Sequence, residues 1–283
     1  MLKIERIIFA VVIFISLSAC SEYQKVLNKG KVEEKYKMAT ALYEQGKYNK
    51  AIVLFEKVIP LYERKPQMQR IQFMIAQSNY KTKSYDLAAY YFNRFIANYP
   101  ESSRIEEATF LAAHSYYLAS PKYSRDQKDT QKALQAFQNF IDKYPSGERT
   151  DDANKFYNEL TYRLEKKAFE IAKQYYRMED YTAAIVSFEN FMQDNIGTSF
   201  KEEALYYKFK ASNDLALKSV LQKKEKRLID AQNVYEKFNK SFPESKRIEE
   251  LNDLNENLTK ELKITKRLIA NIKVINTNKS NGL

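Results

Sequence analysis

Apolar residues recur at helical spacing along most of the chain after residue 30. One motif is an aromatic residue, an alanine three positions later and a tyrosine four positions after that. It occurs as Tyr36-Ala39-Tyr43, Phe73-Ala76-Tyr80, Phe110-Ala113-Tyr117 and Phe169-Ala172-Tyr176. Spacings of three, four and seven place these side chains on one face of a helix. The pattern therefore predicts an amphipathic helix that is repeated along the chain.

A second motif follows each of these helices and returns a fifth time. It is an alanine with larger apolar residues four and seven positions later, in Ala51-Phe55-Val58, Ala88-Phe92-Phe95, Ala133-Phe137-Phe140, Ala184-Phe188-Phe191 and Ala231-Tyr235-Phe238. Three copies are followed by Pro100, Pro145 or Pro243, and a proline ends a helix. Acidic pairs, which favour the first turn of a helix, come next: Glu106-Glu107, Asp151-Asp152, Glu202-Glu203 and Glu249-Glu250. Each unit is thus predicted to contain two helices and a stop.

This order of helices and stops predicts an all-α fold. The turn Gln45-Gly46-Lys47-Tyr48 resembles that of the tetratricopeptide repeat (TPR), in which small residues let paired helices approach closely. We therefore expect a TPR-like helix-turn-helix solenoid, with about five repeats over residues 33–243. Residues 244–276 are expected to form a C-terminal capping helix, and residues 277–283 a flexible tail.

Some repeats depart from the pattern. A polar insert over residues 120–127 predicts a longer loop in the third unit, and residues 149–177, which lack Gly and Pro, predict one long helix. The fifth copy is degenerate, because Lys208, Ala211 and Leu215 occupy the places of the first motif.

The N-terminus has the features of a bacterial export signal. Lys3 and Arg6 flank the start of an apolar run that is too short to span a bilayer. The tetrad Leu17-Ser18-Ala19-Cys20 follows and resembles the lipobox of bacterial lipoproteins, in which the chain is cut before the cysteine and its sulfur carries a diacylglycerol. We expect a lipoprotein signal peptide over residues 1–19, lipidation at Cys20 and a tether over residues 20–32. Acyl chains would hold the protein on a membrane.

Composition excludes several other classes of protein. The chain has 5 Gly and 6 Pro in 283 residues, too few for the turns of an all-β fold. A single cysteine, Cys20, excludes a disulfide framework, and a single histidine, His114, argues against a histidine metal site or a Ser-His-Asp triad. The sequence has no Gly-rich phosphate loop. We therefore expect no enzyme, no metal site and no cofactor. The net charge of +11 is attributed to lysine-rich solvated faces near anionic lipid rather than to nucleic acid binding, because an exported chain rarely meets nucleic acid.

The first-motif aromatics suggest a site for polypeptides. In TPR solenoids the first helix of each repeat lines the concave side, so these residues would form a stripe along a groove. The candidate peptide-groove residues are Tyr36, Tyr43, Phe73, Gln77, Tyr80, Phe110, His114 and Tyr117. Tyrosine offers apolar area with a polar tip, which suits an extended or partly unfolded chain. Packing between repeats explains the same residues and remains an alternative.

Together these features resemble the BamD family of outer-membrane assembly lipoproteins. The resemblance covers about residues 31–242 and rests on the lipobox, the order of the repeats, the Tyr-Pro stops and the insert Ala119-Ser120-Pro121…Asp126-Gln127. The chain departs from the family in its long basic C-terminal helix and in Asn195-Ile196, which replaces a Tyr-Pro stop.

The resemblance implies a function in the assembly of outer-membrane β-barrel proteins. It implies an outer-membrane location facing the periplasm, binding to the periplasmic POTRA region of BamA, and contact with unfolded outer-membrane protein precursors. An alternative is a TPR envelope lipoprotein that coordinates cell-wall synthesis or division through the same groove.

Overall fold

The structure is a computed structural model that describes residues 22–280. The lipobox, Cys20 and the last three residues of the expected tail lie outside the described residues. All regular elements between residues 22 and 280 are α-helices. They are α1 (residues 22–29), α2 (Val32–Glu44), α3 (Tyr48–Tyr62), α4 (Gln67–Lys81), α5 (Tyr85–Asn98), α6 (Ile105–Ala119), α7 (Lys128–Lys143), α8 (Thr150–Arg177), α9 (Tyr181–Asp194), α10 (Lys201–Leu217), α11 (Leu221–Ser241) and α12 (Ile248–Ser280).

The helices form successive pairs, as the two motifs predict, and the all-α TPR-like fold is confirmed. Each pair consists of a first helix (α2, α4, α6, α8 or α10) and a second helix (α3, α5, α7, α9 or α11). The second-motif alanines are fully buried in every pair: Ala51, Ala88, Ala133, Ala184 and Ala231. A methyl group at these positions lets neighbouring helices approach closely, and the phenylalanines beside it fill the core.

The turn between the paired helices has the same backbone conformation in three repeats. Gly46, Lys83 and Glu179 lie in the left-handed region, with φ of 72°, 63° and 60°. In the first repeat the amide of Gly46 donates to the Tyr43 carbonyl at 2.9 Å, and that of Lys47 to the Leu42 carbonyl at 2.8 Å. This is the hydrogen-bond pattern of a Schellman C-cap, which satisfies the last carbonyls of the helix.

The chain divides into two compact units within α8, after Leu160. In the first unit the expected tether contains α1, and the Tyr23 side chain of α1 is buried with core residues of α2 and α3. The tether is therefore shorter than the sequence pattern indicates, because Tyr23 packs the helical part of this segment on the first repeat.

In the second unit α12 packs on α11 through the buried Leu251 and Leu258. The helix continues to Ser280, so it extends past the boundary at residue 276 that the sequence pattern indicates. At the stop that lacks a proline, α9 ends at Asp194 because the side-chain amide of Asn195 donates to the Phe191 carbonyl at 2.8 Å. The backbone then turns at Gly197, where φ is 83°.

Candidate functional site

The tyrosines of the first helices are half-buried, and their hydroxyls bond to the next first helix. Tyr43 of α2 donates to the side-chain oxygen of Gln77 in α4. The amide of Gln77 then donates to Glu107 of α6 at 3.3 Å. Tyr117 of α6 donates to Glu159 of α8 at 2.5 Å. With the equivalent Tyr80–His114 contact, we call this set the tyrosine ladder. It links consecutive repeats of the first unit.

His114 occupies the same place in its repeat as Gln77 does in the previous one. Its Nδ1 lies 2.7 Å from the Tyr80 hydroxyl, and its ring stacks on those of Phe110 and Tyr117 at centroid distances of 5.8 and 5.6 Å. Burial lowers the pKa of His114 below its usual value, and the nearby carboxylate of Asp152 opposes that change. A neutral imidazole with its proton on Nε2 accepts the Tyr80 hydroxyl at Nδ1.

The second unit repeats the arrangement once. Tyr176 of α8 donates to Asp214 of α10 at 3.2 Å. Burial, together with the Asp214 carboxylate, raises the pKa of Tyr176 far above its usual value, so its hydroxyl keeps its proton and remains a donor. The polar tips of these tyrosines are thus already engaged inside the protein.

Two of the eight candidate groove residues lie in the core. Phe73 is 1% exposed and its ring meets Phe92 and Phe95 of its own repeat at 5.9 and 5.2 Å. Phe110 is 7% exposed and meets the corresponding pair in α7. Both rings take part in packing between helices, and Phe73 also lines the cleft described below. The half-buried Tyr36, Tyr43, Gln77, Tyr80, His114 and Tyr117 remain on the face of the first helices.

Arginines that are not part of the sequence motifs lie over aromatic rings of the first helices. The Arg104 guanidinium lies 4.6 Å from the centre of the Phe73 ring, and that of Arg149 lies 5.5 Å from Phe110. In the second unit Arg247 covers Tyr206 at 4.5 Å. Each arginine stands two positions before an acidic pair, which is the signal that could have found them. Phe200 stands two positions before the pair Glu202-Glu203, and its ring stacks on that of Phe169 with 5.2 Å between the ring centres.

An open cleft of about 360 Å³ lies in the first unit beside this face. Its lining includes Tyr43 at the end of α2, Arg70 of α4, and Ser102, Ser103 and Arg104 in the turn before α6. The two guanidiniums and the exposed Ser103 hydroxyl are hydrogen-bond donors, and a carboxylate or a row of peptide carbonyls is the natural partner of such a set. The cleft therefore presents hydrogen-bond donors that suit anionic or carbonyl groups.

Arg70 can change partners at low cost. It pairs with Glu44 at 3.3 Å, but both side chains are more than half exposed. An exposed ion pair of this kind contributes about 0–1 kcal/mol. A ligand carboxylate can therefore displace Glu44 from Arg70.

Between residues 22 and 280, no group of three or more His, Cys, Asp or Glu side chains is arranged to hold a metal ion. None of the described helices is long and apolar enough to cross a membrane.

The fold and this face define a helical-repeat protein of the TPR-like class. A model of the YfiO family, described as outer membrane lipoprotein, matches residues 28–228, well over half of the chain. The protein belongs to this family of outer membrane lipoproteins. No curated protein matches the chain.

Two solved TPR structures resemble the chain. A thermophilic TPR protein from Thermus thermophilus is 15% identical, with 82% of this chain and 99% of that chain covered and a TM-score of 0.29. The TPR-like repeats of a kinesin light chain from Podospora anserina are 10% identical, with 74% and 96% covered and a TM-score of 0.32.

Proposed function

We propose that this lipoprotein is a non-catalytic scaffold of the outer-membrane β-barrel assembly machinery, anchored by lipid at Cys20 and facing the periplasm. In this proposal it binds the periplasmic region of BamA and receives unfolded outer-membrane protein precursors. Membership of the outer membrane lipoprotein family supports the location.

The cleft beside α2 and α4 is the observation that carries the proposal. An unfolded β-strand presents unpaired backbone carbonyls and, at the end of the chain, a carboxylate. Arg70, Arg104 and the hydroxyl of Ser103 line one side of the cleft and supply donors for such groups. The tyrosine ladder links α2, α4 and α6, so the backbone positions from which these donors project are set before a precursor arrives.

A photo-crosslinking amino acid tests where precursors bind. Ser103 is exposed and lines the cleft, whereas Leu87, which is 53% exposed on the second helix α5, does not line it. We expect a crosslinker at position 103 to capture unfolded barrel precursors in cells, and one at position 87 to capture far fewer. Equal capture at both positions would contradict a binding site in the cleft.

Charge variants test the chemistry of the cleft. Arg70→Gln should weaken binding of a peptide that copies the last strand of a barrel protein about 10- to 100-fold, because a hydrogen bond to a charged group contributes about 1.5–3 kcal/mol. Arg94 is the matched control, since it is an exposed arginine that lies over Tyr90 on α5. Arg94→Gln should leave the affinity unchanged.

Depletion of the protein separates this function from the alternative in cell-wall synthesis or division. We expect the levels of outer-membrane barrel proteins to fall before division fails, and a crosslinked complex from membranes to contain BamA. Peptidoglycan synthases in that complex, with barrel levels unchanged, would favour the alternative.

A further inference from the structure

The last helix changes character along its length. Its first part is acidic: residues 248–261 hold five acidic side chains and one basic side chain. Residues 262–283 hold five basic side chains and no acidic one. The family match ends at residue 228, so all of α12 lies beyond it.

The acidic part of α12 is fastened to the rest of its unit. Tyr235 of α11 donates to Asn252 at 2.6 Å, and Gln232 donates to Thr259 at 2.9 Å. Lys224, near the start of α11, pairs with Glu261 at 2.5 Å. These contacts follow α12 as far as the beginning of its partner helix α11. The helix then continues through about another five turns to Ser280.

The basic part of α12 carries an uncovered apolar stripe. Ile264, Leu268, Ile272 and Ile275 follow one another at spacings of four, four and three, which places them on one helical face. Their exposed fractions are 49%, 49%, 45% and 53%. Four large aliphatic side chains on one exposed face favour a partner that removes them from water, because burial of apolar surface is favourable.

Positive charges lie on another face of the same segment. Lys263, Lys266, Arg267 and Lys273 are exposed. At 100° per residue, Lys263, Lys266 and Lys273 lie across the helix from the stripe of Ile264, Leu268, Ile272 and Ile275. Arg267, three residues after Ile264, lies at the edge of that stripe. An apolar stripe with a lysine- and arginine-rich polar face is the pattern of a helix that lies in a membrane surface with anionic lipid.

We propose that the basic part of α12, residues 262–280, docks on an anionic phospholipid surface, with Ile264, Leu268, Ile272 and Ile275 among the acyl chains. The basic side chains add an electrostatic attraction to the anionic leaflet. A second copy of the chain fits this helix less well, because two such helices would bring like charges together. The proposal does not depend on the function in barrel assembly.

A fluorescent label on the full-length protein tests this docking. The Ile272→Cys variant is purified from membranes and labelled with an environment-sensitive dye. The wild-type protein, treated in the same way, measures any labelling of Cys20, its single native cysteine. The protein is reconstituted into phosphatidylethanolamine vesicles with or without phosphatidylglycerol, together with a lipid that carries a quencher. Asn257→Cys is the matched control, because Asn257 is exposed seven residues before Ile264 on the same face.

We expect strong quenching at position 272 only in vesicles with phosphatidylglycerol, and none at position 257. Adding Lys266→Gln and Arg267→Gln should lower the equilibrium constant for docking about 30-fold, at about 1 kcal/mol per charge and tenfold per 1.4 kcal/mol. Circular dichroism on each variant verifies that the helix content is retained.

The opposite results overturn the proposal. An unquenched label at position 272 in anionic vesicles would show that the stripe does not enter the membrane. Equal quenching at positions 257 and 272, or equal quenching without phosphatidylglycerol, would mean that the label is near lipid for another reason. Protection of position 272 by an acidic protein partner in place of vesicles would assign the stripe to protein binding instead.

Discussion

Single side chains in the tyrosine ladder decide how one repeat is fixed to the next. Gln77 and His114 occupy the same place in successive repeats, and each lies beside the hydroxyl of a tyrosine from the preceding first helix. An amide and a neutral imidazole can both accept that hydrogen, but only the imidazole titrates near neutral pH.

His114 should therefore make stability depend on pH. Its pKa is lowered in the folded protein, so below about pH 6.5 the unfolded chain binds a proton that the folded chain does not. Stability should fall as the pH drops from 7.5 to 5.5. We expect His114→Gln, which copies Gln77, to reduce that loss in urea unfolding experiments at the two pH values. An unchanged pH dependence would show that other groups cause it.

The left-handed residues of the turns offer a second test at this scale. Lys83 has a φ of 63°, a conformation that costs a residue with a side chain about 1–2 kcal/mol and costs glycine little. Lys83→Gly should raise the free energy of unfolding by about 1 kcal/mol. Gly46→Ala should lower it by a similar amount, since no atom lies closer than 4.0 Å to the added methyl group and only the backbone is strained. Changes of the same sign in both variants would contradict this reasoning.

At the scale of helices, the second-motif alanines set how closely the helices pack. Ala88 of α5 is fully buried, so a larger side chain there must push helices apart. We expect Ala88→Leu to lower the free energy of unfolding by about 1–3 kcal/mol. Ala97→Leu is the matched control, because Ala97 is exposed on the same helix, and its effect should stay within about 0.5 kcal/mol. Equal losses in chemical denaturation would contradict the helix pairing.

The sequence predicts the helices better than it predicts the accessible site. Periodicity places Phe73 and Tyr80 on the same face of α4, but it does not tell which of the two side chains other helices and turns cover. Arg104 and the α5 phenylalanines cover Phe73, while Tyr80 stays half-buried. Arg104 itself was hard to recognise because basic residues are common throughout this chain. The contacts that decide accessibility join residues about 20 to 30 positions apart, beyond the reach of a local pattern.

The short helix α1 was missed for a related reason. Residues 22–29 hold Tyr23, Val26 and Leu27 at helical spacing, but two turns are too short to establish a period. Tyr23 nevertheless packs on the first repeat, and the Lys50 ammonium lies 5.1 Å from the centre of its ring. Tertiary contacts with α2 and α3 therefore compensate for weak local propensity.

At the scale of the whole molecule, the two proposed membrane contacts should differ in how salt affects their strength. Acyl chains at Cys20 would hold the protein through buried methylene groups, at about 0.8 kcal/mol each, and added salt does not weaken that attraction. Docking of α12 depends on charge, and 1 M salt shortens the screening length to about 3 Å. The two contacts can therefore be separated in one fractionation experiment.

We expect Cys20→Ala to move the protein from the outer-membrane fraction into the soluble or unprocessed fraction, with its helix content unchanged. Any remaining association of this variant with protein-free anionic vesicles should weaken strongly in 1 M salt, or when Lys266→Gln and Arg267→Gln are added, because α12 then provides the only contact with lipid. The wild-type protein should stay in the membrane under the same salt wash. If Cys20→Ala still fractionates fully with the outer membrane after that wash, lipidation at Cys20 is not the anchor.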